Sequence, residues 1–229
     1  MSPLGRPRLH LRETDSTNER ARELAEAGAP HGTLVTATGQ TAGRGRQGRR
    51  WEAPPGTALL CSLVLRRHDE LLSLRAGLAV AEVAGAEALV KWPNDVLLGD
   101  RKVAGVLVEG RPQDGWAIVG IGLNVAVEVA ALGPELSESA GTLGRPRSAV
   151  EPTLTELLGA LERWLEAPAG DALAALRGRD ALLGRSVSWS TGRGIGEGID
   201  AGGGLRVRLE GGEVVVLSSG EVHLGEHLH

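Results

Sequence analysis

A glycine- and arginine-rich segment at residues 43–50 is the part of the sequence best suited to binding an anion. Glycine lets backbone N–H groups approach an anion closely, and guanidinium groups bind phosphate or carboxylate oxygens in pairs. Residues 43–48 also match the G-x-G-x-x-G dinucleotide fingerprint, but that fingerprint must open a helix. Here Trp51 is followed closely by two prolines, so we reject a dinucleotide site and predict an anion-binding loop.

Two simpler interpretations of this loop stay open on composition. It could be a solvated basic loop, or a nucleic-acid-binding loop of the RG type. The 229 residues carry a net charge of −4, and one basic loop on an acidic protein offers little charge to a phosphate polymer. The composition therefore disfavours nucleic acid as the principal partner.

Lys102 is a second candidate for charge-based chemistry. It begins a strand predicted over 102–109, and strict alternation places its side chain on the apolar face of Ala104, Val106 and Val108. An ammonium group at the end of an apolar face needs an anionic partner. That partner could be a ligand or a carboxylate of the protein, and a strand end whose lysine reaches solvent is a further alternative.

Two asparagines occupy positions that favour polar recognition. Asn124 lies in the strand-like run 120–125, whose glycines relieve crowding, and an ordinary bulge is the alternative there. Asn18 lies where a helix is predicted to begin. Ser16 and Glu19 fit a capping box at that point, but a helix N-terminus also presents hydroxyl and N–H groups to a small polar ligand.

The scarcest residue types concentrate in these same segments. Phe and Tyr are absent, and lysine occurs twice, as Lys91 and Lys102, among 25 basic residues. The scarce types share AT-rich codons, so GC-rich coding accounts for the bias. The lysines and the three asparagines, Asn18, Asn94 and Asn124, nevertheless all fall in candidate segments, one of which reads Lys-Trp-Pro-Asn-Asp from Lys91. We infer that these positions need the geometry of lysine or asparagine.

Composition and length also bound the class of protein. No apolar run approaches the roughly 18 to 20 residues that a membrane span needs, and the first residues lead into no signal-peptide core. Cys61 is the single cysteine, so an intrachain disulfide is excluded and a thiolate zinc site is disfavoured. We expect a cytoplasmic globular protein with no membrane partner.

Hydrophobic periodicity predicts a mixed α/β domain over 1–183 and a small β-rich domain over 184–229. Helices are predicted at 18–27, 71–88, 152–165 and 171–183. Strands of the first domain are predicted at 8–13, 33–38, 58–65, 89–91, 96–98, 102–109 and 116–125. Short glycine-broken strands at 186–190, 196–200, 205–209, 214–217 and 221–224 are typical of a small antiparallel barrel.

Taken together, five segments resemble the biotin-protein ligase (holocarboxylase synthetase) family in order and spacing. They are 15–18, 40–51, 91–95, 102–109 and 120–125. The resemblance covers most of residues 8–125, and the glycine-broken strands after 184 match the family more loosely. It implies an α+β fold: a mixed, largely antiparallel sheet with packed helices, like class II synthetases, plus a small C-terminal SH3-like β-barrel.

The resemblance also implies a reaction. Family members use ATP to convert biotin to biotinyl-5′-AMP, release pyrophosphate, and transfer biotin to one lysine of a biotin carboxyl carrier domain. The implied biotin-binding residues are Ser16, Thr17, Asn18, Gln40, Gly43, Arg44, Gly45, Arg46 and Lys102. The implied ATP-binding residues are Arg46, Arg49, Trp51, Asn94, Lys102 and Asn124. Among these, the resemblance implies that Lys102, Arg46 and Arg44 are catalytic.

Further roles follow from the same resemblance. Lys102 is expected to contact the biotin carboxylate and the α-phosphate as a point charge, and Trp51 to stack on adenine. Trp92 is expected beside Trp51 in the site. We expect Mg²⁺ to accompany ATP, with no dedicated metal site on the protein. Whether Asp95 and Glu109 bind this ion or support neighbouring residues is open.

The sequence also bears on the partners of this protein and on rival functions. The first predicted strand begins near residue 8, so we expect a monofunctional ligase without a DNA-binding domain and without DNA as a partner. Strands that border the catalytic domain would allow a homodimer. A lipoate-protein ligase is the nearest rival function, and a non-catalytic anion- or nucleic-acid-binding module is the rival from another class.

Overall fold

The computed structural model describes residues 4–224, and a seven-stranded mixed sheet is its centre. The strands are β1 (Arg8–Thr14), β2 (Leu34–Gln40), β3 (Ala58–Leu65), β4 (Ala88–Lys91), β5 (Asp95–Leu98), β6 (Arg101–Arg111) and β7 (Trp116–Asn124). Their order across the sheet is β1-β2-β3-β7-β6-β5-β4. β1 pairs with β2 in parallel, and the other neighbouring strands are antiparallel. The prediction of a mixed, largely antiparallel sheet with packed helices is confirmed.

Five α-helices are present in the described residues. They are α1 (Thr17–Glu26), α2 (Leu72–Ala84), α3 (Pro134–Ser139), α4 (Val150–Glu166) and α5 (Ala169–Arg177). Single 3-10 turns occupy Arg46–Gly48, Pro112–Asp114, Val129–Ala131 and Arg147–Ala149.

Two helices, α2 and α5, end earlier than predicted. The prediction carried α2 to residue 88, but Gly85 adopts a φ of 120°, a conformation open to glycine that ends the helix there. α5 ends at Arg177 rather than at residue 183, because the following chain pairs with the edge strand β4. The Ala181 N–H donates to the Val90 carbonyl at 3.0 Å, and the Val90 N–H donates to the Arg179 carbonyl at 2.7 Å.

The two faces of the sheet are covered differently. On the first face, α2 and α4 bury a large apolar core that includes Leu63, Val119 and Val106. On the second face, α1 packs Ala21 and Ala25 against Val35 of β2, Val64 of β3 and Ile118 of β7. The rest of that face is left for a cavity.

A second sheet follows the mixed one in sequence. Its antiparallel strands, in spatial order β11-β10-β9-β8-β12, are β8 (Ser186–Trp189), β9 (Gly192–Ile199), β10 (Leu205–Arg208), β11 (Val214–Leu217) and β12 (His223–Leu224). β9 begins four residues earlier than predicted, because Trp189 and Gly192 pair across a tight hairpin. Gly196 fits where no larger residue could, since a Cβ there would lie 2.2 Å from the Leu182 carbonyl oxygen.

The two sheets share one core. Leu205 and Val207 of β10 belong to the same buried cluster as α2, and the Trp92 indole N–H donates to the Gly203 carbonyl at 2.9 Å. The predicted second domain ends at residue 229, and its last five residues lie outside the described residues. Among residues 4–224, no helix has the length and apolar character that a membrane span needs.

Cys61 yields a test of this packing. It lies on β3 and is 1% exposed, and burial raises the pKa of its thiol to about 12. Since the thiolate is the reactive form, we expect no labelling by a disulfide reagent at pH 8 in the native protein.

The control is the same protein in denaturant, where one thiol should react at once. Rapid labelling without denaturant would contradict the burial of β3.

Candidate functional site

A cavity of about 250 Å³ opens over the uncovered half of the second sheet face. Nearly all of the residues singled out in the sequence line it, and they come from α1, β2, the glycine loop, the 91–95 turn, β6 and β7. These are Ser16, Thr17, Asn18, Gln40, Arg44, Gly45, Arg46, Arg49, Trp51, Asn94, Lys102 and Asn124. Gly43 is not among the described lining residues. It supports the loop instead, because a Cβ there would lie 2.3 Å from the Trp51 carbonyl oxygen.

Glycines form the floor of the cavity. A Cβ on Gly120 would lie 2.0 Å from Asn18 Oδ1, and one on Gly122 would lie 2.3 Å from Trp51 Cε2. Gly105 faces Gly122 across the β6–β7 ladder, and a Cβ on it would lie 3.2 Å from the Trp51 ring. Adjacent strands therefore lack side chains where Asn18 and Trp51 lie on the sheet.

The glycine loop folds back on itself as a narrow hairpin. The Gly45 N–H donates to the Arg49 carbonyl at 2.8 Å, and the Trp51 N–H donates to the Gly43 carbonyl at 3.0 Å. At its tip, Gln47 adopts the left-handed backbone conformation, with φ at 54°. This hairpin places the loop arginines on the rim of the cavity.

Two of these arginines are held by neighbouring segments. The Arg46 guanidinium donates to Asn94 Oδ1 at 3.2 Å, while Asn94 Nδ2 donates to the Val106 carbonyl at 2.9 Å. Arg49 forms an ion pair with Glu221, which precedes β12, with Nη2 2.6 Å from Oε2. Both amide ends of Asn94 are thus bound by protein groups.

Lys102 pairs with a carboxylate across the strands. Its Nζ lies 2.7 Å from Asp95 Oδ1 and 5.7 Å from the centroid of the Trp51 ring, which is within the range of a cation–π contact. Nearby, burial lowers the pKa of Lys91, an effect that the charge of Asp95 opposes and that of Lys102 reinforces. Positive charge is therefore concentrated here, with Asp95 between the two lysines as a shared counter-ion.

The predicted face of Lys102 was wrong. The pairing of β5 with β6 shifts register between Val96 and Leu97, so one extra residue of β6 reverses the alternation. Lys102 Nζ lies 3.4 Å from where a Cβ of Gly105 would be. The lysine therefore shares the cavity face with Gly105, and Ala104 and Val106 face the core.

The capping-box prediction at α1 was also wrong. Ser16 is the N-cap residue with extended backbone, but its side chain makes no capping hydrogen bond within the described part of the chain. The Asp15 carboxylate accepts from the Ser16 N–H at 2.7 Å instead. Glu19 accepts a hydrogen bond from Arg44 at 3.0 Å, so the first turn of α1 is bound to the glycine loop.

The start of α1 is bound to the end of β2. The Thr17 N–H donates to Gln40 Oε1 at 2.7 Å, and the Thr17 hydroxyl lies 3.1 Å from the same oxygen. These contacts bring Thr17 and Gln40 together on the wall of the cavity.

Arg44 is enclosed by carboxylates. Its Nη1 lies 3.0 Å from Glu19 Oε2 and its Nη2 lies 2.8 Å from Glu109 Oε1. Both guanidinium ends are thus engaged by the protein, which favours an anchoring contribution for this side chain over direct contact with a reacting anion.

Parts of the wall were missed by sequence analysis. Leu132, Leu136 and Ala140 line the cavity from a segment that contains α3, a six-residue helix too short to give a periodic signal. Gly141 receives a 2.9 Å hydrogen bond from Asn124 Nδ2. Asn124 Oδ1 is buried without a hydrogen-bond partner in the described residues.

Trp92 lines the cavity, as Trp51 does. It is also 3% exposed and belongs to the core cluster, so the same side chain joins the two sheets. Trp51 is the tryptophan that lies across the floor glycines.

Within residues 4–224, no group of three or more His, Cys, Asp or Glu is arranged to hold a metal ion. Asp95 bonds to Lys102 and Glu109 bonds to two arginines and Asn18, so both carboxylates support neighbouring residues in this arrangement.

Known proteins resemble this chain in both sequence and structure. A model described as "Biotin/lipoate A/B protein ligase family" matches residues 11–125. A Paracoccus denitrificans protein named "Biotin--[acetyl-CoA-carboxylase] ligase" is 36% identical over 94% of this chain and 99% of its own length. A Bacillus subtilis protein named "Bifunctional ligase/repressor BirA" is 39% identical over 57% of this chain, which spans 44% of that protein.

A solved structure agrees with these matches. The biotin protein ligase from Aquifex aeolicus, in complex with biotin and ATP, superposes with a TM-score of 0.77 at 29% sequence identity. The match covers 96% of this chain and 100% of the other.

The floor glycines give a direct test of the site geometry. Gly122→Ala would place a methyl group against Trp51, so we expect a loss of about 1–3 kcal/mol in the free energy of unfolding and a shifted indole N–H resonance of Trp51. Urea unfolding and ¹⁵N-tryptophan spectra measure the two effects.

Gly211→Ala is the matched control, because no atom lies within 4 Å of the Cβ it would add. An unchanged Trp51 resonance in Gly122→Ala would contradict the described floor.

Proposed function

This chain belongs to the biotin/lipoate A/B protein ligase family, and on that premise we propose that it is an ATP-dependent biotin ligase. It would convert biotin to biotinyl-5′-AMP and transfer the biotin to a lysine of a biotin carboxyl carrier domain. One observation carries the proposal. A single cavity combines Lys102 of β6, the arginines of the glycine loop and a polar end formed by Thr17 and Gln40.

The first step joins two anions. A biotin carboxylate oxygen attacks the α-phosphorus of ATP, a new oxygen–phosphorus bond forms, and the bond to the departing pyrophosphate breaks. Fixed positive charge in a partly enclosed site lowers the barrier to this encounter. We assign this charge to Lys102 and Arg46, with Arg49 toward the departing phosphates.

The polar end of the cavity suits the biotin head group. A ureido ring presents both N–H donors and a carbonyl acceptor, so its site needs both kinds of partner. Ser16, Thr17 and Gln40 supply hydroxyl and amide groups there.

The opposite end suits adenine. Trp51 offers a ring face, and Leu132 and Leu136 add apolar wall. The unpaired acceptor Asn124 Oδ1 would pair with the 6-amino group of adenine. Guanine carries a carbonyl at that position and its amine at position 2. This matches the expected preference for ATP.

Mg²⁺ would enter with the nucleotide. Mg²⁺ commonly binds through one or two carboxylates plus substrate phosphates and water. With Asp95 and Glu109 engaged by cations, phosphate oxygens and water would supply most of its ligands.

The second step uses the carrier domain. The lysine amine attacks the acyl carbon of biotinyl-5′-AMP, an amide forms, and AMP departs with the acyl–phosphate oxygen. Four further expectations stay predictions: an SH3-like barrel over 184–229, a division between domains at residue 183, a homodimer and a cytoplasmic location.

The reaction itself is the first test. Incubation with biotin and Mg-ATP should give biotinyl-5′-AMP by mass spectrometry and biotin-dependent pyrophosphate release. Lipoate in place of biotin is the control that separates the family's two substrate classes. Adenylate formed from lipoate but not from biotin would contradict the proposal.

A charge-conserving change tests Lys102. Lys102→Arg should lower the rate of adenylate formation by about one to two orders of magnitude, because a planar fork cannot replace a compact point charge beside Asp95. Single-turnover kinetics measures the rate, and circular dichroism checks the fold.

Arg206→Lys, an exposed exchange at the Glu197 ion pair, is the control and should leave the rate unchanged. A wild-type rate in Lys102→Arg would refute the role of this lysine.

A further inference from the structure

The amide of Asn18 is enclosed by protein groups. The side chain is buried, its Oδ1 accepts from the Ser62 hydroxyl at 2.6 Å, and its Nδ2 donates to Glu109 Oε2 at 2.7 Å. A longer contact joins Nδ2 to the Leu107 carbonyl at 3.4 Å. Both ends of the amide thus have protein partners before any ligand binds.

Ser62 is a polar residue within an apolar strand. It is fully buried on β3, and its hydroxyl lies 2.6 Å from Asn18 Oδ1 and 2.8 Å from the Thr17 hydroxyl. An amide oxygen can only accept, so Ser62 donates to Asn18 and accepts the Thr17 proton. This order fixes the direction of the hydrogen bonds at the start of α1.

Glu109 binds on the other side of Asn18. Its carboxylate also lies 2.8 Å from Arg44 Nη2 and 3.2 Å from Arg22 Nη2. One carboxylate therefore bonds to the start of α1 and to the glycine loop at the same time.

The contacts form one continuous chain of polar groups. In order, it runs through Gln40, Thr17, Ser62, Asn18, Glu109 and Arg44. Ser62 and Glu109 are not among the described residues that line the cavity, so they act on a ligand through their neighbours. Thr17, Ser62 and Asn18 in the middle of this chain are buried, and a buried polar network with every member partnered is rigid.

We propose that Ser62 and Glu109 are positioning residues of the biotin site, a role that rests on the proposed function. They hold Asn18 between them and thereby fix Thr17, Gln40 and Arg44 in the geometry that receives the head group. In this role Asn18 links the start of α1 to β6 and does not itself bond to biotin. Holding the groups in advance lowers the entropy lost on binding.

The test is biotin binding by titration calorimetry without ATP. Ser62→Ala and Glu109→Ala should each weaken the Kd for biotin by about tenfold, the scale of losing a buried hydrogen bond. The double variant should be no weaker than about the larger single change, because both act through Asn18. The KM for ATP should stay within about twofold of the wild type.

A graded variant and a control keep the result specific. Glu109→Gln retains an acceptor for Asn18 but loses the charge facing Arg44, so its Kd should lie between those of the wild type and Glu109→Ala. It also serves if the alanine variant fails to fold. Thr153→Val is the control, because Thr153 is equally buried and accepts from Arg145 at 3.0 Å outside the cavity.

Three results would overturn the proposal. They are an unchanged Kd in both single variants, fully additive losses in the double variant, or equal weakening of biotin and ATP binding. If the wild type binds no biotin, the proposed function fails as well. If the wild type binds biotin and the variants match it, this inference alone fails.

Discussion

Positive charge gathered in one cavity is the constraint on which the rest of the structure depends. Lys91, Lys102 and the loop arginines line the same space, and like charges so close repel one another. Burial is the main cause of the lowered pKa of Lys91, and the charges of Lys102 and Arg49 lower it further. Carboxylates from separate segments offset this repulsion: Asp95 from β5, Glu109 from β6 and Glu221, which precedes β12. Of the charges assigned to the proposed reaction, Lys102 and Arg49 have carboxylate partners, and Arg46 bonds to the neutral amide of Asn94.

The sheet supplies the geometry for this arrangement. Along β7, alternate residues on the cavity face meet α1 at Ile118, Asn18 at Gly120 and Trp51 at Gly122. β3 repeats the order, with Val64 under α1 and Ser62 bonded to Thr17 and Asn18. Along this face, α1 packs on the sheet at one end, the polar network follows, and glycines leave an open floor at the other end. This order follows the decreasing size of the side chains along the strands.

Many of the strands and cavity residues were predicted from the sequence, because they depend on local patterns of residue type. The alternating and apolar runs predicted the seven strands, and scarcity of lysine and asparagine pointed to Lys102, Asn94 and Asn124, which all line one cavity. What failed depended on tertiary context. The β6 register shift reverses the face of Lys102, and alternation cannot reveal a bulge. Ser62 sits in an apolar run, so its role follows only from the side chains packed against it.

We expect Lys102, which pairs with Asp95, to contact both anions of the first reaction step. A crystal structure with biotin and a non-hydrolysable ATP analogue measures this directly. The account predicts Lys102 Nζ within hydrogen-bond distance of both the biotin carboxylate and the α-phosphate. A lysine still paired with Asp95 alone, with the anions held by other side chains, would contradict it.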